Sequence, residues 1–479
     1  MNGDLDSAQE KALKINLDAA RYGTFAEIGA GQEVARWFFH AGKAASTVAK
    51  TISAYDKSVS DALYGTTSRF VSRERLEAML DFEYPQLVQQ LDSSRGDHTA
   101  FFAFADTVAT HGSSRTSAGG HGWLGIRFQD RPKAEPSEVI LHIEMVEAFT
   151  SRQQEAVGLL GVNLIYAAHA FAQDPTAFMK SLMDGLDRRR IEIDVIKFSG
   201  PAFPGVDNRL ISLQLVEMGY TDAAMFLASG EVVQPSEVLY NRPVLIERGS
   251  FRPVTNVTLS MLDDAQAQLR RECDPASGEP SVLMEMTINN LMSGPAVDHR
   301  DFLARADILG ALGKTVMISN YTRFDLVTTY LRQYTQNWIG MVVGIPTLRA
   351  IFDEKYYQEL AGGIMEGLGR LFRGPVRLYA YPTVAAKTAE AAELETAAEI
   401  EIEPKLQHLY AYLFENGRIA PVSQFSVDQL HVSPAGVLSK MQAGDPDWPD
   451  YVPAAAAALI RRDRLFGLPS QAGPGSSQT

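Results

Sequence analysis

The chain reads as an α/β protein made of repeated strand–helix units. Three observations predict this. Apolar runs of strand length recur through the middle of the sequence, segments of helical period lie between them, and glycine closes helices shortly before the next run. The stretch Ser281–Asp325 shows the unit most plainly. An apolar strand (Val282–Ile288) is followed by a loop with Gly294 and Pro295. A helix then carries Phe302, Leu303, Ala306, Ile308, Leu309 and Leu312 and closes on Gly313. A second apolar run, Thr315–Ser319, comes at once.

In chain order, residues 1–95 read as a mostly helical N-terminal region. Glu33–Phe39 is amphipathic, Ser46–Ala62 continues in helical register, and Ser72 is placed to cap Arg73–Leu91. Within it, Thr24–Gly31 (TFAEIGAG) precedes the helix QEVARWFF. A Gly-x-Gly turn before a helix can cradle phosphate, but the third glycine of a dinucleotide fingerprint and the lysine of a P-loop are missing, so a plain turn is the better reading. FFAFADTVA and WLGIRFQ then read as strands. The Gly/Ser-rich loop Thr110–Gly122 between them, with His111, Arg115 and His121, is a candidate lid over an anionic ligand.

The α/β domain is expected over 96–382. Its main series of strands is Val139–Val146, Ile193–Phe198, Ala223–Ala228, Val244–Ser250, Val282–Ile288, Thr315–Asn320, Trp338–Gly344 and Val376–Pro382. About eight β-α units of this total length suit a closed (β/α)8-like barrel, the favoured reading; an open doubly wound parallel sheet is the alternative. Ionised residues inside the strands (Glu144, Lys197, Glu247, Glu285) tip the choice, because a barrel can aim them at its mouth whereas central strands of an open sheet are buried on both faces. Residues 383–432 read as an acidic Ala/Glu-rich linker with a short helix, and 433–479 as a mostly disordered Pro/Ala/Gly/Ser tail in which AAAALIRRDRLF could dock.

A formal net charge of −14 argues against non-specific binding to nucleic acid or anionic membrane. The single cysteine, Cys273, excludes an intrachain disulfide. Neither a signal-like N-terminus nor an 18-residue apolar run is present, so a cytoplasmic protein without a membrane partner is expected. H-x-H, H-E-x-x-H, G-x-S-x-G and C-x-x-C are all absent, which leaves zinc hydrolase, serine hydrolase and thiol-redox readings unsupported.

Strand ends are where parallel α/β folds bind ligands. On that basis Lys197, Glu247 and Glu285 are the candidate catalytic residues, for acid–base or Schiff-base chemistry. The candidate ligand-binding residues are Arg115, His121, Ser199, Arg248, Asn289, Ser319, Asn320 and Arg323. His142 and Glu144 share one face of a strand and are candidate ligands for Mg²⁺ or Mn²⁺.

The segments KINLDAARYGTFAEIGAGQEVARWFF, HGWLGIRFQ, IERGSFRPVT and IFDEKYY carry a resemblance that runs from about Lys14 to Gly417. In them the chain resembles a bacterial family known under two inconsistent names, nicotinate-nucleotide adenylyltransferase and TonB-dependent receptor. The receptor name implies an export signal and many alternating strands of about ten residues, and the sequence has neither. The adenylyltransferase name implies G-S-F-D-P-x-H-x-G-H after a first strand. Here Gly249, Ser250, Phe251 and Pro253 match, while Arg252 stands for the aspartate, Thr255 and Thr258 for the two histidines, and Val257 for the glycine. Those histidines hold the triphosphate as charge develops on the departing pyrophosphate. A later I-S-x-T-x-x-R motif is matched by Ile318–Arg323 with the threonine one place out of register.

Three readings of function stand. The first is a cytosolic enzyme acting on a small anionic or phosphorylated metabolite by Lys/Glu acid–base or divalent-metal chemistry. The second is a nucleotide-binding protein, or a degenerate adenylyltransferase-like transferase. The third is a non-catalytic scaffold or assembly subunit, whose Ala-rich helices and flexible tail would mediate contacts; a homo-oligomer is among the expected partners.

Overall fold

The computed structural model describes residues 7–110, 119–388, 391–427 and 430–469. The chain divides into two compact units, Met1–Thr221 and Asp222–Thr479.

The first unit carries a six-stranded mixed sheet. Its strands are β1 (Arg21–Gly29), β2 (Val48–Ile52), β3 (Ala100–Ala109), β4 (Gly120–Phe128), β5 (Ser137–Met145) and β6 (Ile191–Ser199), in the order β2-β1-β3-β4-β5-β6. β1 pairs in parallel with β2 and β3; the pairs from β3 to β6 are antiparallel. Its helices are α1 (Ala8–Leu17), α2 (Val34–Ala41), α3 (Lys57–Tyr64), α4 (Arg73–Arg95), α5 (Thr150–Ala170), α6 (Pro175–Leu182) and α7 (Asn208–Glu217). Strand alternation puts Phe25, Phe102, Phe104 and Phe128 on one face, where they pack with Phe38 of α2 and the apolar face of α5. Leu76 and Leu80 of α4 cover the other face, close against Gly125. Ser72 caps α4 as its sequence position implies, accepting the Arg75 N–H at 3.1 Å.

The region 1–95 is helical over most of its length, as α1 to α4, but it also supplies the strands β1 and β2 to the sheet. β-branched residues in Val48–Ile52 pair on the edge of β1, which splits the expected Ser46–Ala62 helix. TFAEIGAG ends β1 in a plain turn. The Glu27 carboxyl group turns back and accepts the N–H groups of Val34 (2.7 Å) and Ala35 (3.3 Å) at the start of α2, so the helix terminus is already occupied by a side chain of the protein itself.

The second unit carries an eight-stranded open sheet, which corrects the barrel expectation. Its strands are β7 (Ala223–Phe226), β8 (Val232–Val233), β9 (Val244–Arg248), β10 (Ser281–Thr287), β13 (Thr315–Ser319), β14 (Ile339–Gly344), β15 (Val376–Tyr381) and β18 (Ile419–Pro421). Two small hairpins, β11 (Met292–Ser293) with β12 (Ala296–Val297) and β16 (Thr383–Thr388) with β17 (Ala391–Glu395), stand outside it. The order is β18-β15-β14-β9-β10-β13-β7-β8, with β7 antiparallel to β13, so the sheet has free edges and does not close. Val139–Val146 and Ile193–Phe198, counted as the first two barrel strands, belong to the antiparallel part of the other unit's sheet.

The connecting helices are α8 (Pro235–Leu239), α9 (Asn256–Glu272), α10 (Ile288–Leu291), α11 (His299–Ala311), α12 (Phe324–Leu331), α13 (Ile345–Ile351), α14 (Gly363–Leu371) and α15 (Gln407–Glu415). Val244, Ile246, Leu283, Met317, Met341 and Leu378 form one apolar face of the sheet and pack against α12 to α15.

The C-terminal residues do not form the expected disordered tail as far as Pro469. They fold into α16 (Pro434–Gln442) and α17 (Ala454–Asp463), and α17 packs on α11. Val437, Met441, Trp448, Ile460 and Phe466 are buried, and Asn256 Nδ2 donates to the Asp450 carbonyl at 3.0 Å. Each such apolar side chain contributes roughly 1.5–3 kcal/mol when fully buried. Truncation after Ser433 should therefore lower the denaturation midpoint of the second unit substantially; an unchanged midpoint would mean that these helices add no stability.

Candidate functional site

The six parallel strands of the second sheet follow the chain as β9, β10, β13, β14, β15, β18, but lie in space as β18-β15-β14-β9-β10-β13. Winding starts at β9, runs outward to β13, then returns to β14 on the other side of β9 and runs outward again. Connections on the two sides of that reversal leave to opposite faces, so a crevice opens at the carboxyl ends of the strands. A cleft of about 320 Å³ lies at those ends. It is lined by Arg248 at the end of β9, Thr287, Asn289 and Asn290 after β10, Tyr321 to Phe324 after β13, and Thr347, Ala350, Ile351, Tyr356 and Tyr357 after β14.

Strand register decides which charged groups reach this cleft. Glu285 pairs with Arg248, and Met284 with Glu247. Paired residues point the same way and neighbours alternate, so Glu285 and Arg248 share one face while Glu247 lies on the other. Arg248 donates from Nε and Nη2 to the two oxygens of Glu285, both at 2.8 Å. Ser319 Oγ donates to Glu285 Oε1 at 2.6 Å. Glu285 is 1% exposed, so its charge is held by this bidentate pair and by the serine. Nη1 of Arg248 takes no part in the pair, and the guanidinium lies 4.5 Å from the Phe324 ring. Arg323 is held by Asp325 (Nε to Oδ1, 2.9 Å) and by Glu359. Arg305 of α11 ties two strand-end loops together, donating from Nη1 to the carbonyls of Ser250 (3.0 Å) and Asn290 (2.8 Å).

Glu247 has a different fate. Burial pushes its pKa up to about 8, with Lys314 pulling the other way, and one carboxylate oxygen has no hydrogen-bond partner among the described residues. The threonines at the motif's histidine positions are also buried. Thr255 caps α9, its Oγ1 accepting the Thr258 N–H at 3.2 Å, and neither residue lines the cleft.

The sequence-level site is thus partly assembled. Arg248, Asn289 and Arg323 line the cleft, and Ser319 is buried behind them on Glu285. Asn320 is exposed outside the lining, its N–H on the Asp222 carbonyl at 2.9 Å. Lys197, Glu247 and Glu285 do not form one site. Lys197, like Ser199, lies on β6 of the first unit, and the two glutamates face opposite ways. Similar depth in a strand encodes neither the sheet nor the face. Arg115 lies outside the described residues.

In the first unit, His121, His142 and Glu144 do come together. His121 is paired across the strands with Glu144, and His142 is two residues along the same face. A register shift between His142 and Ile143 brings in Asp194 of β6. His142 Nδ1 lies 2.6 Å from Asp194 Oδ1, and its Nε2 lies 3.3 Å from His121 Nδ1. One ligand atom each of His142, Glu144 and Asp194 falls within 4.8 Å of the others. The Trp123 ring centroid is 4.8 Å from that of His142. Burial holds the His121 pKa down at about 4 and raises that of Glu144 to about 7.

Sequence reasoning missed Asp194, Arg305 and the aromatic walls Tyr321, Phe324, Tyr356 and Tyr357. Asp194 carried the same signal as Lys197, a charged residue set among the apolar residues of IEIDVIKF. The tyrosine pair stands in IFDEKYY, a segment marked only for its resemblance.

No protein-family model matches this chain, and no curated protein sequence matches it. Among solved structures, the competence/damage-inducible protein CihA from Agrobacterium tumefaciens is similar at 17% identity, covering 36% of this chain and 95% of its own, with a TM-score of 0.24. A CinA superfamily protein from Klebsiella pneumoniae is similar at 15% identity, covering 34% and 94%, also with a TM-score of 0.24. Scores that low carry no inference about this chain. No helix among the described residues is long and apolar enough to cross a membrane.

The two glutamates should respond oppositely to neutralisation. Glu285→Gln leaves Arg248 without its counter-charge and should cost about 3 kcal/mol. Glu247 binds its proton more tightly folded than unfolded. It therefore loses stability as pH rises from about 4.5 to about 8. Glu247→Gln should match the parent near pH 5 and exceed it by several kcal/mol at pH 8. Urea denaturation of both variants at the two pH values checks this; equal losses in both would contradict the opposite-face assignment.

Proposed function

We propose that the second unit binds a small anionic metabolite, a mononucleotide or a similar phosphorylated compound, in the cleft at its strand ends. The observation that carries this reading is the reversal of strand order between β9 and β14 with a cleft at the carboxyl ends beside it. A doubly wound sheet of this order places ligands at such a crevice. Fold alone does not fix the ligand, so the lining must. Tyr321, Phe324, Tyr356 and Tyr357 supply flat faces for a base, and the Asn289 amide supplies a donor and an acceptor for its edge or a sugar, while Thr287 and Asn290 hold each other in the capping box of α10. Arg248 is held rigid by Glu285 and keeps Nη1 for an anionic oxygen. A volume of about 320 Å³ is at the small end for ligand sites and suits a mononucleotide better than a dinucleotide.

Binding rather than adenylyl transfer is the activity supported. Thr255 and Thr258 are engaged in capping α9, where the resembling enzymes place histidines. Glu285 is tied to Arg248 and Ser319, which removes it as a free general base. Titration calorimetry with nucleoside monophosphates, the matching nucleosides and inorganic phosphate tests the reading. At least one monophosphate should bind, its nucleoside at least tenfold more weakly. Asn289→Ala and Tyr356→Ala, both at exposed positions, should weaken binding tenfold or more without moving the denaturation midpoint. Absence of binding across the panel, or affinity unchanged in both variants, would overturn it.

A further inference from the structure

We infer that the first unit carries a transition-metal site of the zinc class, with His121 Nδ1 and His142 Nε2 as ligands, the Glu144 carboxylate, which clusters with His142 and Asp194 within 4.8 Å, as the third, and Asp194 as the group that orients His142. This site is independent of the cleft and of the ligand proposed there.

Three features of the geometry support it. The first is tautomer control. His142 is 1% exposed, and its Nδ1 lies 2.6 Å from Asp194 Oδ1, a hydrogen-bond distance too short for two atoms bound to one ion. With Nδ1 donating its proton to the carboxylate, Nε2 presents its lone pair, the carboxylate–histidine–metal arrangement in which the outer carboxylate fixes the ring. The second is spacing. Two imidazole nitrogens at about 2.0–2.1 Å from a tetrahedral ion stand roughly 3.3 Å apart. His142 Nε2 and His121 Nδ1 are 3.3 Å apart. The third is an unused charge. Asp194 is 6% exposed, and its second oxygen, Oδ2, has no hydrogen-bond partner among the described residues. A buried carboxylate of this kind is costly unless a positive charge stands near it.

The donor set selects the metal. Mg²⁺ demands oxygen ligands and retains its water, whereas two imidazoles with one carboxylate suit Zn²⁺ and its neighbours in the first transition row. Three protein ligands leave a fourth position for water or another group. The chemistry of an open site follows from that position: a bound water whose proton is more readily lost.

The experiment uses the full chain without a histidine tag. Equilibrium dialysis against Zn²⁺ or Co²⁺, followed by elemental analysis, should find one equivalent bound per chain, undisplaced by excess Mg²⁺. His121→Ala and His142→Ala should lose that equivalent. Asp194→Asn should keep the stoichiometry while weakening affinity about 10–100-fold, the effect expected of an outer partner. Because His142 is buried, its variant can fail to fold. The partly exposed His121 and the visible absorption of the Co²⁺-loaded parent then decide the matter, intense bands meaning tetrahedral coordination. A parent that binds no metal, a His121→Ala variant that binds like the parent, or a weak octahedral cobalt spectrum would overturn the assignment.

Discussion

The pairing register of β9 with β10 is the constraint on which the strand ends of the second unit depend. Because Arg248 stands opposite Glu285, a guanidinium and a carboxylate meet side by side on a buried face, where only a close, geometrically matched pair is tolerated. A slip of β10 by one residue would turn Glu285 to the helices of the opposite face and leave Arg248 without it. It would also break the bond from Ser319, which reaches Glu285 from the neighbouring strand β13. The register therefore fixes three strands together. It leaves Arg248 in one orientation, with Nη1 outside the pair with Glu285.

The same physics gives two glutamates of similar sequence context opposite properties. Glu285 is stabilised as an anion by an arginine and a serine. Glu247, one strand away and turned to the other face, is buried without such a pair, and burial pushes its pKa up to about 8 against the pull of Lys314. In the first unit a single register shift has a comparable effect. Without the irregularity at His142 and Ile143, Asp194 would alternate away from His142; with it, the carboxylate and imidazole meet at 2.6 Å.

Much of the local structure was legible in the sequence, and most of the long-range pairing was not. The unit Ser281–Asp325 appears as β10, α11 and β13, because helical and strand periods are carried by the residues themselves. The barrel reading failed on partnership. Val139–Val146 and Ile193–Phe198 are as apolar as parallel strands, and the helices between them suggest a crossover, yet β5 and β6 pair antiparallel. Nothing in an apolar run states its partner. The lining of the candidate cleft was legible where a charge or amide follows a strand, as for Arg248, Asn289 and Arg323, and the shared face of His142 and Glu144 was legible because parity alone was needed. It was not legible where two sheets had to be told apart, as for Lys197. At the C-terminus the run AAAALIRRDRLF was legible as a docking segment and appears as α17, whereas α16 was hidden by an Ala- and Pro-rich composition that outweighed the few residues that bury it, Val437 and Met441.

Hydrogen–deuterium exchange of the full chain with and without a saturating nucleoside monophosphate tests the central claim most directly, since it reads where the ligand sits. Slowed exchange should concentrate in the segments that follow β9, β10, β13 and β14: residues 249–253, 288–291, 320–325 and 345–357. Protection centred on the amino ends of those strands, or on the first unit's sheet, would contradict the account.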